Sequence, residues 1–335
     1  MRPSPFLFFA AVALVAQAPA KNDLVQRFNT ELPSINQMLK ELKAQEAQTR
    51  MEGVVPTTRP AFDASSLPSI ALSVDDARGM GALYGLLAKA TSAAGQWEKA
   101  VEVQEKRTQG AHATLADLEQ AQAPIAAQWK KVVQDSTTYV TQNEPRKKEL
   151  EAKVAAFQAE YQTLKDSKRK LTKDEADAFN ARGVQIQHDE QELAQMVAAL
   201  PVHKKNLVNG PKVFKLLDDN RKEVEGMIKA AEEAVAKAKK AVTDQNAEIT
   251  QFNTQQVIKK VKVIGRKNWV DAVMHVPENI TKQGSVEDQG AFLNRLLVLD
   301  PGNVNALKAL GNLKAGKEAF AKAPKPAKKS NAKKS

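Results

Sequence analysis

The chain has no cysteine among its 335 residues. Disulfides, thiolate nucleophiles, thiolate metal sites and a lipidated cysteine are therefore excluded. Aromatic residues make up only 5%, and Gly and Pro number 15 each, against 27% charged residues. Ala, Lys, Gln, Glu and Leu dominate. That is the composition of long exposed helices rather than of a thick globular core. The motifs of catalysis are missing as well. The four histidines, His112, His188, His203 and His275, are not in H-E-x-x-H spacing. There is no G-x-x-x-x-G-K-[ST] loop, no G-x-G-x-x-G after a strand and no G-x-S-x-G elbow. His188-Asp189-Glu190 has metal-ligand residue types, but adjacent positions on a helix point in different directions, so a solvated face is the reading. No enzyme activity and no cofactor are expected.

One long apolar run is present, at the start. Arg2 precedes Phe6 to Val15, and the small residues of Ala16-Gln17-Ala18-Pro19-Ala20 follow. This is the layout of a secretory signal peptide. Ala18-x-Ala20 places the cut after Ala20. A cut after Ala18 would leave Pro19 first, and an uncleaved anchor is the alternative. Ten apolar residues are about half of what spans a bilayer, and no second long run follows. The expectation is a periplasmic or secreted bacterial protein, held together by packing alone.

The rest reads as all-α: long antiparallel helical hairpins or a coiled-coil-like bundle. Residues 1–20 are the signal peptide and 21–48 an N-terminal helix with Leu24, Phe28, Ile35, Leu39 and Leu42 on one face. Residues 49–74, with Pro56, Pro60 and Pro68, read as a linker. Residues 75–264 carry the long helices. A seam of threes and fours starts at Leu83 and runs past Trp97 and Leu118 to Val132. Pro124 and Pro145 lie inside this first long helical region, residues 75–165, and each is expected to kink or break it. The seam is expected to resume in a new register at Leu150. The basic stretch after Leu164 is read as a turn, and Thr172 and Glu175 form a capping box for the next helix. Pro201 to Pro211 is expected to be a second turn. The cleanest seam then includes Val224, Ile228, Val235, Val242, Ile249 and Phe252, with Gln245 and Gln256 as polar steps that would fix register. A helix with so narrow a seam needs a partner helix. Another part of the chain or a second copy, as a homo-oligomer, would serve.

Residues 265–313 change texture. Leu296-Leu297-Val298-Leu299-Asp300-Pro301-Gly302-Asn303 leads into Val304-Asn305-Ala306-Leu307-Lys308-Ala309-Leu310-Gly311. Over about 289–313 this resembles the junction between two tetratricopeptide repeats, in which a Leu-x-Leu-Asp-Pro turn ends one helix and Ala-Leu-x-x-Leu-Gly opens the next. Asp300, Pro301 and Asn303 would form the turn, and small Ala306 and Gly311, with Leu310, the packed face. Tyr84, Leu87, Gly95, Trp97 and Ala100 resemble one further repeat with its internal turn at Gly95. Stable arrays need about three units, so the resemblance implies an appended helix pair. The outline is similar to exported coiled-coil and tetratricopeptide proteins of the cell envelope.

Residues 314–335 hold eight Lys and one Glu, and so seven of the net eleven positive charges. Such a tail is expected to be disordered. Lys322, Lys325, Lys328, Lys329, Lys333 and Lys334 would tether it to an anionic envelope surface. Nucleic acid is disfavoured by export and by the single aromatic, Phe320. The sequence therefore points to a non-enzymatic exported scaffold or interaction protein with an unidentified envelope protein as partner. The alternative is a secreted membrane-active or pore-forming protein inserting Gly79 to Gly95.

Overall fold

A computed structural model describes residues 23–259 and 265–320. Those residues are all-α, with no strand among them. The helices are α1 Asp23–Lys40, α2 Ala44–Val54, α3 Leu67–Ala93, α4 Trp97–Ser167, α5 Lys173–Ile258, α6 Gly265–Met274, α7 Glu278–Thr281, α8 Val286–Leu299 and α9 Val304–Lys314. Leu118–Lys222 forms one compact unit, the hairpin unit. Met1–Asp117 with Glu223–Ser335 forms the other, the core unit. The signal-peptide reading and the six tether lysines from Lys322 to Lys334 lie outside the described residues.

The core unit holds two apolar clusters. The first gathers Leu24, Ile35, Met51, Leu83, Leu87 and Val103 from α1 to α4. The second gathers Ile249, Trp269, Val270, Ile280, Leu293, Leu296 and Leu310 from α5 to α9. Leu42 belongs to the second cluster and explains a break the sequence did not announce. Residues 21–48 were expected to be one helix, yet it stops at Lys40 and restarts at Ala44. Leu42 adopts φ +57 so that its side chain can drop against α8. There a Cβ added at Gly290 would stand 2.4 Å from Leu42 Cδ2. Burial of the leucine offsets a backbone conformation that costs about 1–2 kcal/mol for a residue with a Cβ.

The linker expected over 49–74 is shorter, because α2 continues to Val54 and α3 starts at Leu67. Ser66 caps α3 by accepting from the Ser69 amide, and Pro68 sits in its first turn, where the missing N–H costs nothing. The long helix expected from residue 75 onward therefore begins earlier, and it ends at Ala93.

The prolines do not break the long helices. Pro124 and Pro145 lie inside α4, and Pro201 and Pro211 inside α5. All four are exposed. Each loses one backbone hydrogen bond and crowds the preceding turn, but on the face away from the partner helix, where a helix opens and bends convex to solvent. Underneath, burial runs on in steps of three and four. In α5 the covered positions pass through Met196, Leu200, His203, Leu207, Gly210, Val213, Leu217, Asn220 and Val224. In α4 they pass through Val132, Ser136, Tyr139, Asn143, Arg146 and Leu150 without the register change expected at Pro145.

The chain folds back once between these helices, at Lys168–Thr172, with Lys168 at φ +51. Thr172 Oγ1 accepts from the Glu175 amide at 3.3 Å, and the Glu175 carboxylate accepts from the Thr172 amide at 2.9 Å. This is the reciprocal capping box. Residues on the two sides of the turn then face each other: Phe157 stacks on Phe179 at 4.8 Å, Arg182 pairs with Glu160 and Lys204 with Glu144.

The C-terminal helix pair is present as α8 and α9. Asn303 accepts from the Ala306 amide at 3.0 Å and caps α9, and Ser285 does the same for α8 from Asp288 at 3.1 Å. The described part of the stretch expected to be a disordered tail, up to Phe320, is packed. Ala319 is buried, Phe320 packs on the second cluster, and Asn312 Nδ2 donates to the Ala319 carbonyl at 3.0 Å.

Candidate functional site: a groove floored by Arg107

The site is set by the corner between α3 and α4. Gly95 turns it at φ +82. A Cβ there would stand 2.5 Å from the backbone of Asn294, so the corner and α8 touch main chain to main chain. Asn294 Nδ2 donates to the Ala93 carbonyl at 2.9 Å. Arg295 then fixes the corner. It is 1% exposed and donates to the Gly95 carbonyl at 3.1 Å, to Gln245 Oε1 at 2.7 Å and in a fork to both Glu98 oxygens at 2.6 and 2.5 Å. The guanidinium lies 5.0 Å over the Trp97 ring. Its hydrogen bonds hold the Glu98 carboxyl below the usual carboxylate range, against an opposing effect of burial. This clamp is structural: it ties α8 to α4 and α5.

Between the stretch 55–59, α3, α4 and the core-unit part of α5 opens a cavity of about 1000 Å³. That is within the range of small-molecule sites. Its walls include Val55, Met80, Tyr84, Leu87, Val103 and Met227. Three wall cations already have acids: Lys99 with Glu52 at 2.7 Å, Arg59 with Asp117 at 2.5 Å, and Arg78 with Asp75 and with Glu223, the latter at 2.9 Å. Arg107 has no carboxylate among the described residues. Its one described hydrogen bond, Nη1 to Gln104 Oε1, is 3.4 Å long. The side chain is half-buried, and burial pulls its pKa down from the usual guanidinium range. Lys106 adds an exposed charge at the rim.

Glycines make the room. Gly79, Gly95, Gly210 and Gly290 are each crowded, with a neighbour under 3.0 Å from the added Cβ. The groove's helical glycines are not. Gly110 and Gly226 meet nothing within 4 Å, and Gly81 meets only the Arg107 Nε at 3.9 Å. Gly in a helix costs about 1 kcal/mol relative to Ala. At these positions no close packing requires it, and the result is open space beside a cation.

In the hairpin unit the seam carries a polar layer. Ser136 Oγ meets His203 Nδ1 at 3.1 Å and accepts from Asn206 Nδ2 at 3.3 Å. Tyr139 stacks on His203 at 4.1 Å, and burial lowers the His203 pKa.

The residues singled out from sequence fall as follows. Val224, Ile228 and Ile249 are buried, and Val235, Val242 and Phe252 half-buried, all against the chain itself. Gln245 is also covered, and its role is to receive Arg295. Asp300, Asn303, Ala306 and Leu310 are buried in the turn and on α9, while Pro301 is exposed. Gly311 differs from expectation: it is exposed and a Cβ would meet nothing within 4 Å, so it allows no close packing. Asp189 is buried in the seam and accepts from Gln185 Nε2 at 3.1 Å. Among the described residues no three His, Asp or Glu side chains come together as a metal site. The segment Gly79 to Gly95 is core: Leu83, Leu87 and Ala90 are buried. Among the described residues no helix is long and apolar enough to cross a membrane. Sequence reading missed Arg107 and Arg295. The available signal was a pair of arginines at covered helix positions, which pattern alone cannot separate from solvated ones. The chain matches no family model, no curated protein and no solved structure.

Proposed function

We propose that the chain is an exported, non-enzymatic helical scaffold that binds a protein of the bacterial cell envelope, with its lysine tail held to an anionic surface. The hairpin unit is the observation that carries this reading. Two paired helices bury one stripe of side chains each and leave the rest of their surface free. That geometry suits contact with another protein, whereas catalysis needs convergent groups in an enclosed site. Val184, Val197, Val202 and Val208 on α5 are at least half exposed there. The charged residues lend further support, since many are committed to holding one helix to the next, as in Arg146 with Glu192 and Lys239 with Glu105. The α8–α9 pair, with its likeness to a tetratricopeptide junction, is a second contact element in the same reading.

The test places a photo-crosslinking residue at Val202, at Val208 and, as a buried comparison, at Leu217 in cells. Val202 and Val208 should each capture the same envelope protein, and Leu217 only this chain itself. Mature protein should begin at Lys21 and appear in the periplasmic or secreted fraction. Equal capture from all three positions, or release of liposome dye by the mature protein, would count against the scaffold and for the membrane-active alternative.

A further inference from the structure

We infer that the Arg107 groove is a binding site for a small amphiphile with a carboxylate head and an alkyl body. Four observations converge on that ligand. The guanidinium is half-buried without a carboxylate among the described residues. An unpaired charge drawn away from water is costly unless an anion meets it, and the planar guanidinium fork matches a carboxylate in two-point contact. The neighbouring wall cations are already neutralised by Glu52, Asp117 and Glu223, so the free positive charge is local to Arg107 and the rim lysine beside it. The apolar part of the wall is Val55, Met80, Leu87, Val103 and Met227, whose side chains offer an alkyl chain contact and no hydrogen bonds. Finally, Gly110 and Gly226 leave open space on two facing helices, where larger side chains would stabilise α4 and α5 but close the groove.

The arrangement also discriminates. A cationic amphiphile would meet Arg107 and Lys106 head on. A neutral alcohol would gain the apolar walls but leave the guanidinium without its counter-charge. A bulky double-chain lipid is disfavoured by the modest volume, about 1000 Å³.

The experiment is isothermal titration of the full mature chain with sodium dodecanoate below its micelle concentration. One saturable site is expected. Dodecan-1-ol should bind at least tenfold more weakly, and dodecyltrimethylammonium should not bind. Arg107→Gln should weaken dodecanoate at least tenfold. Gly226→Leu should do the same by filling the cavity, with a helical melt unchanged or raised. Gly110→Leu on the facing helix is the second filling variant, so that a folding failure in one leaves the other to decide. Absence of a saturable site, dodecanol as tight as dodecanoate, or affinity within threefold of wild type in Arg107→Gln or in the folded filling variants would overturn the assignment.

Discussion

The hairpin unit and the core unit use the same helices to different ends. In the core unit α4 and α5 meet α3, α8 and the short helices around them, so side chains such as Ile35, Leu83, Leu293 and Leu296 lose all contact with water. In the hairpin unit each helix has one partner, and cover is limited to a seam one side chain deep. Leu150, Met196 and Leu200 anchor that seam, but Ser136, Asp189, His203 and Asn220 share it. A thick core can enclose a charge as large as Arg295 and satisfy it. A two-helix seam tolerates polar residues because water is never far away, and it gains less from each leucine. Stability should therefore be concentrated in the core unit, with the hairpin as the softer part.

The largest test of that contrast removes the clamp. Arg295→Ala strips Glu98, Gln245 and the Gly95 carbonyl of their donor and leaves a cavity over Trp97. The acceptors left buried and unsatisfied cost about 1–3 kcal/mol, while the half-exposed Glu98 carboxylate regains water and loses little. Urea denaturation should show a loss of that size, with hydrogen exchange rising across α3, α8 and the start of α4. Exchange in the hairpin near Leu150 and Leu200 should stay as it was. A uniform rise across both units would mean that they unfold as one.

Glycine replacements sharpen the comparison at a smaller scale. Gly95→Ala forces a Cβ into the left-handed region, costing about 1–2 kcal/mol, and drives it to 2.5 Å from the Asn294 main chain. Gly210→Ala in the hairpin also makes a close contact, 2.3 Å, but with the Val133 Cγ2. Turning Val133 off its preferred helical rotamer costs about 0.5–1.5 kcal/mol, and alanine returns about 1 kcal/mol of helix propensity. Thermal melts should therefore show a clear drop for Gly95→Ala and a change near zero for Gly210→Ala. Equal losses would show that the hairpin seam is packed as rigidly as the core.

How far the sequence disclosed this depends on whether a feature is local. The α8–α9 turn was legible because Asp300, Pro301 and Asn303 act within a few residues: one stop, one turn, one cap. The Thr172–Glu175 box was legible for the same reason. The unbroken course of α5 was not. Its seam crosses Pro201 to Pro211 on His203 and Gly210, which do not register as apolar, while the prolines signal a break whose outward placement only the paired helix reveals. Leu42 looked like one more apolar residue on a helix face, and only the presence of α8 shows why the helix gives way there. The Arg295 clamp joins residues 197 and 200 positions apart, and the Arg107 groove depends on what fails to stand near a cation. Neither leaves a periodic trace.

The mildest expected effect separates the units by pH. His203 sits in the hairpin seam against Tyr139, Ser136 and Asn206, with the Lys204–Glu144 pair close in sequence and space. Burial disfavours its charged form, and Asp135 opposes that in part. Its folded pKa therefore lies below the ordinary histidine value of about 6.5. The unfolded chain then binds more protons than the folded one between the two values, so stability rises with pH there. The contribution is intact above about 6.5 and is lost as the solution is acidified below it. Hydrogen exchange in the hairpin should accelerate from pH 7 to pH 5.5 after correction for intrinsic rates. The acceleration should be abolished in His203→Gln, which keeps a polar side chain in the layer without a titration. Exchange around Leu83 and Leu296 should show no matching change, because no histidine lies in those clusters. An identical pH response in wild type and His203→Gln would assign it to carboxylates such as Glu144 and return the polar layer to a purely packing role.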